Sequence, residues 1–570
     1  MKKSKLSLLL VLSLVLSMFL AACSGGTKNE EKSKDEGKTK TTEEKLAADQ
    51  TLNVLESAEI PTMDSAKNQD TMGGIMLNAV NEGLFRLDEN QKIVPAAAES
   101  MPKYNEDKTV ITIKLRKDAK WSNGDPVTAH DFVFGWQRAL DPKTASEYGP
   151  YFMEDRIKNA SEIIAKGEKA TPEDIKTLGI KALDDYTLEI DLVRPLPYIE
   201  SYLAFYTFFP QNQKYVEAQG DKYATDAAHI LFNGPFKMTK WDGPTATEWA
   251  LEKNDTYWNA KNITLKKVNF NVSKDPQASA NAFEAGEVDV TPKLAQAAIL
   301  SQYQGSEELL TYTEPSVFWL KMNQKNPAFQ NLNIRKAIAL TVDKNALVKD
   351  VLANGSIAAD YIVPKEFAFN NGKDFRDGAA TYMKMNKEEA KKFWEKGLQE
   401  LGQKELTFTY VGQDTESSKK TDAFVKDQLE KTLPGLKINI ESVPFKIRID
   451  RENKQDYDLL FAGWGPDYAD PMTYMDLFLT GGQNNRMSYS SAKYDELVKA
   501  AQTTLGAKAD ERWKALHDAE KVLLEDDAAI VPMYQRAANI LVNPKVKGLV
   551  THAMSPDMDF QHVKIVETNK

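Results

Sequence analysis

Cysteine is nearly absent: the 570 residues contain one, Cys23. No disulfide can form within a single chain, so an exported protein of this sequence has to be held by its cores. Histidine is scarce as well. His130, His229, His517, His552 and His562 show no ligand-like spacing, which argues against a zinc site. There is no G-x-S-x-G elbow and no Gly-rich loop followed by Lys-Ser/Thr. The formal net charge is −10, so no basic footprint points to nucleic acid. With 83 Asp and Glu, acidic pairs arise everywhere by chance and carry no enzyme assignment. No catalytic residue, metal ligand or cofactor is therefore expected. After residue 22 no apolar run approaches the length needed to span a bilayer.

The N-terminus is what stands out. Lys2, Lys3 and Lys5 precede an apolar run from Leu6 to Ala22, which ends in Leu20-Ala21-Ala22-Cys23. A basic segment, an apolar segment and small residues before a cut site describe a secretory signal peptide, here residues 1–22. The Leu-Ala-Ala-Cys ending resembles the bacterial lipoprotein box, which implies cleavage before Cys23 and a diacylglycerol on its sulfur. Removing residues 1–22 takes away three lysines and no acid, so the formal charge goes from −10 to −13. Residues 24–50, SGGTKNEEKSKDEGKTKTTEEKLAADQ, are dense in both charges and have almost nothing to bury. They read as a disordered tether, with Cys23 as its anchor. Its length suits a thick cell wall and a Gram-positive source.

A chain this long needs two or three domains. From Thr51 onward strand and helix periods interleave, which gives an α/β class. Ile111, Ile113 and Leu115 alternate with polar residues, as do Tyr186, Leu188, Ile190 and Leu192. Thr128 caps a predicted helix with Asp131 in the capping-box position, followed by Phe132, Trp136 and Leu140 at helical spacing. Further helices are expected from Asn333 and after Asp343, and strands at LTFTYVG, LKINIESV and YDLLFAGW.

One stretch invites chemistry: FAGWGPDYADPMTYMDLF, residues 461–478. Gly463 and Gly465 strip side-chain cover from the backbone around Trp464. Nine segments, in order, are similar to the oligopeptide-binding proteins, the solute-binding proteins of peptide-importing ABC transporters. They are LNAVNEGLFRLDENQKIVPAAAES, LRKDAKWSNGDPVTAHDFVFGWQRALDP, VRPLPYIESYLAF, FNGPFKM, EKNDTYWNA, FEAGEVDV, NIRKAIALTVDK, GWGPDYADP and AAIVPMY. The resemblance covers essentially everything after the tether. It implies a two-lobed periplasmic-binding-protein-like fold (type II, cluster C) with an inserted domain. Lobe I would comprise 51–81, 208–312 and 538–570, the inserted domain 82–207 and lobe III 313–537. The crossings between lobes would lie near Glu314 and near Ala537 and Ala538.

A binder of many peptides cannot read side chains tightly, but every peptide has a backbone and a charged terminus. Adding the peptide as a strand at Gly463, Trp464 and Gly465 solves the first problem. Asp467 meeting the N-terminal ammonium solves the second, and the resemblance implies that role for it. Asp470 is the weaker candidate, more in keeping with a turn. The resemblance also implies peptide contacts at Tyr148, main-chain contacts at Gln69 and Thr71, a pocket-lining place for Phe445, and a basic contact at Arg451. Phe461 replaces an arginine of some relatives, and GQDTESSKK lacks a histidine that can meet a peptide C-terminus, so the carboxylate end has no assigned partner.

These features give a lipid-anchored, extracytoplasmic, monomeric receptor that passes oligopeptides to ABC permease subunits with their ATPases. A same-fold receptor for one signalling peptide, a nickel chelate, haem or an oligosaccharide is the alternative. A surface hydrolase, or an adhesin or chaperone, is the rival of another class.

Overall fold

The computed structural model describes residues 45–506, 508–552 and 556–568. The signal peptide, Cys23 and the tether as far as residue 44 lie outside the described residues. Residues 45–50, which composition assigns to the tether, belong to the folded body. Leu46 bridges Val566, and the Gln50 side chain donates to the carbonyls of Ala47 and Ile565, both at 2.8 Å. It also accepts from the Ile565 amide at 3.0 Å. A single glutamine thus satisfies the backbone of the last strand, a partnership that composition does not reveal.

Three sheets organise the rest. The first has the order Thr51–Glu56, Lys267–Val272, Glu248–Lys253, Phe236–Lys240. Its first pair is parallel and the others antiparallel. Parallel neighbours require a crossover connection, and here that crossover contains the second sheet. The second sheet is antiparallel, ordered Lys103–Tyr104, Val110–Lys114, Thr187–Asp191, Ile180–Asp184. The predicted alternation is realised, with Ile111, Ile113, Leu188 and Ile190 all buried. The helix Ala129–Leu140 starts at the predicted cap, where the Asp131 carboxylate accepts from the Thr128 amide at 2.7 Å. Its Phe132 and Trp136 are buried.

The third sheet has six strands: Ile357–Ala358, Ile530–Leu541, Leu309–Met322, Leu459–Trp464, Leu406–Gln413 and Leu436–Val443. The last three run parallel to one another. The helix predicted after Asp343 begins there, but it is short, Lys344–Ala346, and continues as a π-helical turn, Leu347–Leu352.

Two long strands link the first and third sheets. Residues Leu309–Thr313 pair with Leu541–Ala537, next to a segment that bonds through the Thr291 amide to the Leu541 carbonyl. Residues Val317–Lys321 pair with Gln535–Ile530 inside the third sheet, and the register breaks between Thr313 and Val317. Glu314 lies in that break.

Gln50→Ala should speed hydrogen exchange at the Ile565 amide and lower the melting temperature slightly, since a buried bond pair contributes about 1–3 kcal/mol. Unchanged protection at Ile565 would contradict this role for Gln50.

Candidate functional site

Between the sheets lies a cleft of about 520 Å³. The third sheet explains where it opens. Leu406–Gln413 feeds the helix Glu416–Thr432 and pairs on one side with Leu436–Val443 through its full length. On the other side it pairs with Leu459–Trp464 only at Leu459 and Leu460. The strands diverge there, leaving a crevice beyond their carboxyl ends, the position where open α/β sheets hold ligands. Residues Phe461 to Trp464 keep one paired edge, against Val317–Leu320, and one open edge.

Gly463 is required by a close approach as well as by exposure. A Cβ there would come within 2.6 Å of the Phe318 ring. Gly463, Trp464, Gly465 and Asp467 all line the cleft. The Trp464 ring meets Tyr151 edge-on at 6.5 Å, and its Nε1 is buried without a partner.

Asp467 is buried, and no hydrogen bond from the described residues reaches its carboxylate; Oδ2 is fully enclosed. Burial, and then the nearby Asp476 charge, hold its pKa well above the usual carboxylate range. Asp476 is treated differently. It pairs with Arg156 at 2.6 Å and accepts from the Tyr151 and Tyr468 hydroxyls, both at 3.0 Å. Burial raises the hydroxyl pKa values of Tyr148, Tyr151, Tyr206 and Tyr474, and the Asp467 charge adds to it. Asp467 therefore sits among neutral aromatic rings with no cation beside it.

Gln69, Thr71, Tyr148 and Phe445 line the same cleft. Asp70 between the first two caps the helix Thr71–Val80 by accepting from the Gly73 amide at 2.9 Å. Tyr148 opens the helix Tyr148–Met153 and packs against Phe205 and Tyr206. Arg451 is not on the cleft. On the helix Phe445–Lys454 the cleft face carries Phe445, Arg448, Ile449 and Glu452. Arg451 falls out of that phase and pairs with Glu441 and Asp456 instead. Arg448, the basic residue the helical period does present, bonds Glu452 at 2.8 Å, and Lys321 pairs with the same carboxylate. Burial opposes the Glu452 charge, but these two cations outweigh it and depress its pKa. Asp470 is held by Arg512 through two bonds of 2.6 and 2.9 Å, which leaves it a structural part.

Contacts close the cleft over these groups. Arg486 donates to Glu147 at 2.6 Å and to Gln69 at 3.2 Å, and Asn453 donates to Glu147 at 2.9 Å. They tie Arg486 and Asn453, near the third sheet, to Gln69 beside the first sheet and to Glu147 of the crossover.

Residues 92–486 match the family described as bacterial extracellular solute-binding proteins, family 5 Middle. The chain is 32% identical to the dipeptide-binding protein DppE of Bacillus subtilis, over 95% of this chain and 96% of that one. The peptide-bound OppA of Listeria monocytogenes is 42% identical and superposes with a TM-score of 0.85, covering 92% of this chain and 100% of that one. The murein tripeptide binding protein MppA of Escherichia coli is 26% identical, covers 92% and 100%, and scores 0.80. An unliganded open form of MppA, 27% identical and covering 92% and 99%, scores only 0.62. The lobes of this chain thus depart from that open arrangement, in keeping with the contacts at Glu147.

Because folding raises the Asp467 pKa, the native state loses stability as pH rises from the unfolded value near 4 through the raised one. Asp467→Asn should therefore raise the melting temperature of the peptide-free protein at pH 7, with the difference vanishing below about pH 4. A lower melting temperature at pH 7, read by differential scanning fluorimetry, would contradict the unpaired carboxylate.

Proposed function

We propose that this chain, which belongs to the bacterial extracellular solute-binding proteins of family 5, captures oligopeptides in its cleft and delivers them to an ABC importer. One observation carries the peptide reading: a buried carboxylate without a cation, Asp467, stands just beyond a strand whose edge is open. A peptide supplies both missing partners. Its ammonium meets Asp467, and its main chain extends along the edge at Gly463 to Gly465. The ammonium–carboxylate spacing to the first peptide unit sets register without reading any side chain. Trp464 offers a broad apolar face beside the ligand, and Gln69, Thr71 and Tyr148 approach from the opposite wall. Asn, Gln and hydroxyl partners would not stabilise the charge on Asp467 as a cation does, so a neutral sugar is disfavoured as its ligand.

Capture would proceed by lobe closure. The lobes are 51–81 with 208–312 and 538–570, the inserted domain 82–207, and 313–537. The register break at Glu314 is the natural hinge, and Arg486 with Asn453 on Glu147 is the latch. The protein would perform no chemistry on its cargo and need no cofactor. Residues 1–22 would direct export, and a lipid on Cys23 would hold the monomer at the extracytoplasmic membrane face of a Gram-positive cell. Stable attachment requires at least two acyl chains, which a lipidated Cys23 supplies. Transmembrane permease subunits and their ATPases are the partners.

Isothermal titration with matched peptides tests the ammonium role. Asp467→Ala should weaken a free-amine peptide by about 10- to 100-fold, the range of a buried charge-assisted bond, and its N-acetylated twin far less. Ammonium binding favours the ionised carboxylate, so affinity for the free-amine peptide should fall as pH drops through the raised Asp467 pKa, above the usual carboxylate range. Equal losses for both peptides would rule the role out.

A further inference from the structure

Charge balance inside the cleft singles out a second group. Six lysine and arginine side chains line it, and each is already in an ion pair. Lys274 pairs with Glu59, Lys293 with Glu314 and Asp557, Lys321 and Arg448 with Glu452, Arg486 with Glu147, and Arg536 with Glu314. Among the carboxylates lining the cleft, two keep a buried oxygen with no donor among the described residues: Asp467 and Asp422. The proposed function accounts for the first. Nothing in it uses the second.

Asp422 lies on the helix Glu416–Thr432 and is 1% exposed. Its Oδ1 accepts from the Tyr410 hydroxyl at 2.6 Å, and its Oδ2 has no partner. The strand beside it makes room for this: a Cβ on Gly412 would stand 1.8 Å from Oδ2. Burial pushes the carboxyl up to about 7, against the lowering effect of the Tyr410 bond. Its charge reaches Tyr534, which stacks on Phe318 at 5.0 Å and lies 6.0 Å from Phe461. Phe318, Phe461 and Tyr534 also line the cleft. Arg536 sits over the Phe318 ring at 5.0 Å, but Glu314 claims its charge.

We propose that Asp422, with the aromatic wall of Phe318, Phe461 and Tyr534, forms a subsite for a basic side chain of the bound peptide. The chemistry matches on both parts of such a residue. The aliphatic stem of lysine or arginine packs on rings, and its cation gains from their faces. The charged head reaches the free Oδ2, which lacks only a donor. An acidic side chain at the same place would set two carboxylates together without an unpaired cation, so it is excluded. A neutral aliphatic side chain would fill the wall and leave Oδ2 unsatisfied. The cleft then holds two sockets for positive charge, one for the terminus and one for a side chain.

This subsite rests on the peptide-binding reading, and the test separates the two. Pentapeptides carrying lysine, arginine, norleucine or glutamate at each position in turn are titrated against wild type and Asp422→Asn. Asparagine keeps the size of the side chain and an acceptor for Tyr410, and thermal melts confirm the fold. At one position lysine or arginine should bind wild type on the order of tenfold tighter than norleucine, with glutamate weakest. That ratio should collapse towards one in Asp422→Asn. Norleucine peptides that bind wild type with no advantage for lysine or arginine at any position overturn the subsite alone. So does an advantage that Asp422→Asn leaves intact. Absence of binding for every peptide overturns the peptide reading and the subsite with it.

Discussion

A carboxylate that the fold buries and leaves without a cation governs this cleft. Asp467 and Asp476 lie on one short segment, and only Asp476 is given an arginine and two hydroxyls. Burying an ionised group without a partner is among the costlier things a protein does. A fold that carries such a group holds free energy that a cationic ligand releases on arrival. In the proposed function that release is tied to a feature shared by peptides with a free N-terminus, which is how affinity and breadth can coexist. Side chains then contribute secondarily, through walls such as Trp464 and through the second unpaired oxygen at Asp422.

The backbone positions these groups by sheet topology. The strand Leu459–Trp464 leaves its parallel neighbour Leu406–Gln413 after Leu460, and the residues assigned to ligand binding near the third sheet stand at or beyond the crevice this opens. In the proposed closure, the two long strands whose register breaks at Glu314 serve as the hinge. Glu314 is bonded there by Lys293 and Arg536, and burial of its charge is outweighed by these cations, which depress its pKa. The break is thus stiffened electrostatically and not by a continuous hydrogen-bond ladder. In the proposed opening, the pair at Glu147 would part together with the buried Arg156–Asp476 pair, which also joins the crossover segment to residues next to the third sheet.

Much of this was legible in the sequence. Thr128 and Asp131 announced their helix, the alternation at residues 111–115 and 187–191 announced its strands, and Gly-Trp-Gly before Asp467 marked the cleft. What escaped was set by partners distant in sequence. Gln50 lies in polar, charge-rich company, and its burial depends on Ile565, more than five hundred residues away. Asp422 hides in a lysine-rich stretch and acquires meaning only when Gly412 and Tyr410 enclose it. The basic contact expected at Arg451 falls outside the cleft face of the helix Phe445–Lys454, which presents Arg448 and Glu452 instead. The π-helical turn after Ala346 leaves no signature in an apolar pattern that suits an α-helix equally well.

Native mass spectrometry of the protein expressed without residues 1–23 tests the central claim most directly, because ligand retained in a closed cleft is weighed and sequenced together. The account predicts a ladder of co-purified masses that fragment as mixed peptides with free N-termini. An empty cleft, a single non-peptide mass, or peptides with blocked N-termini would contradict it.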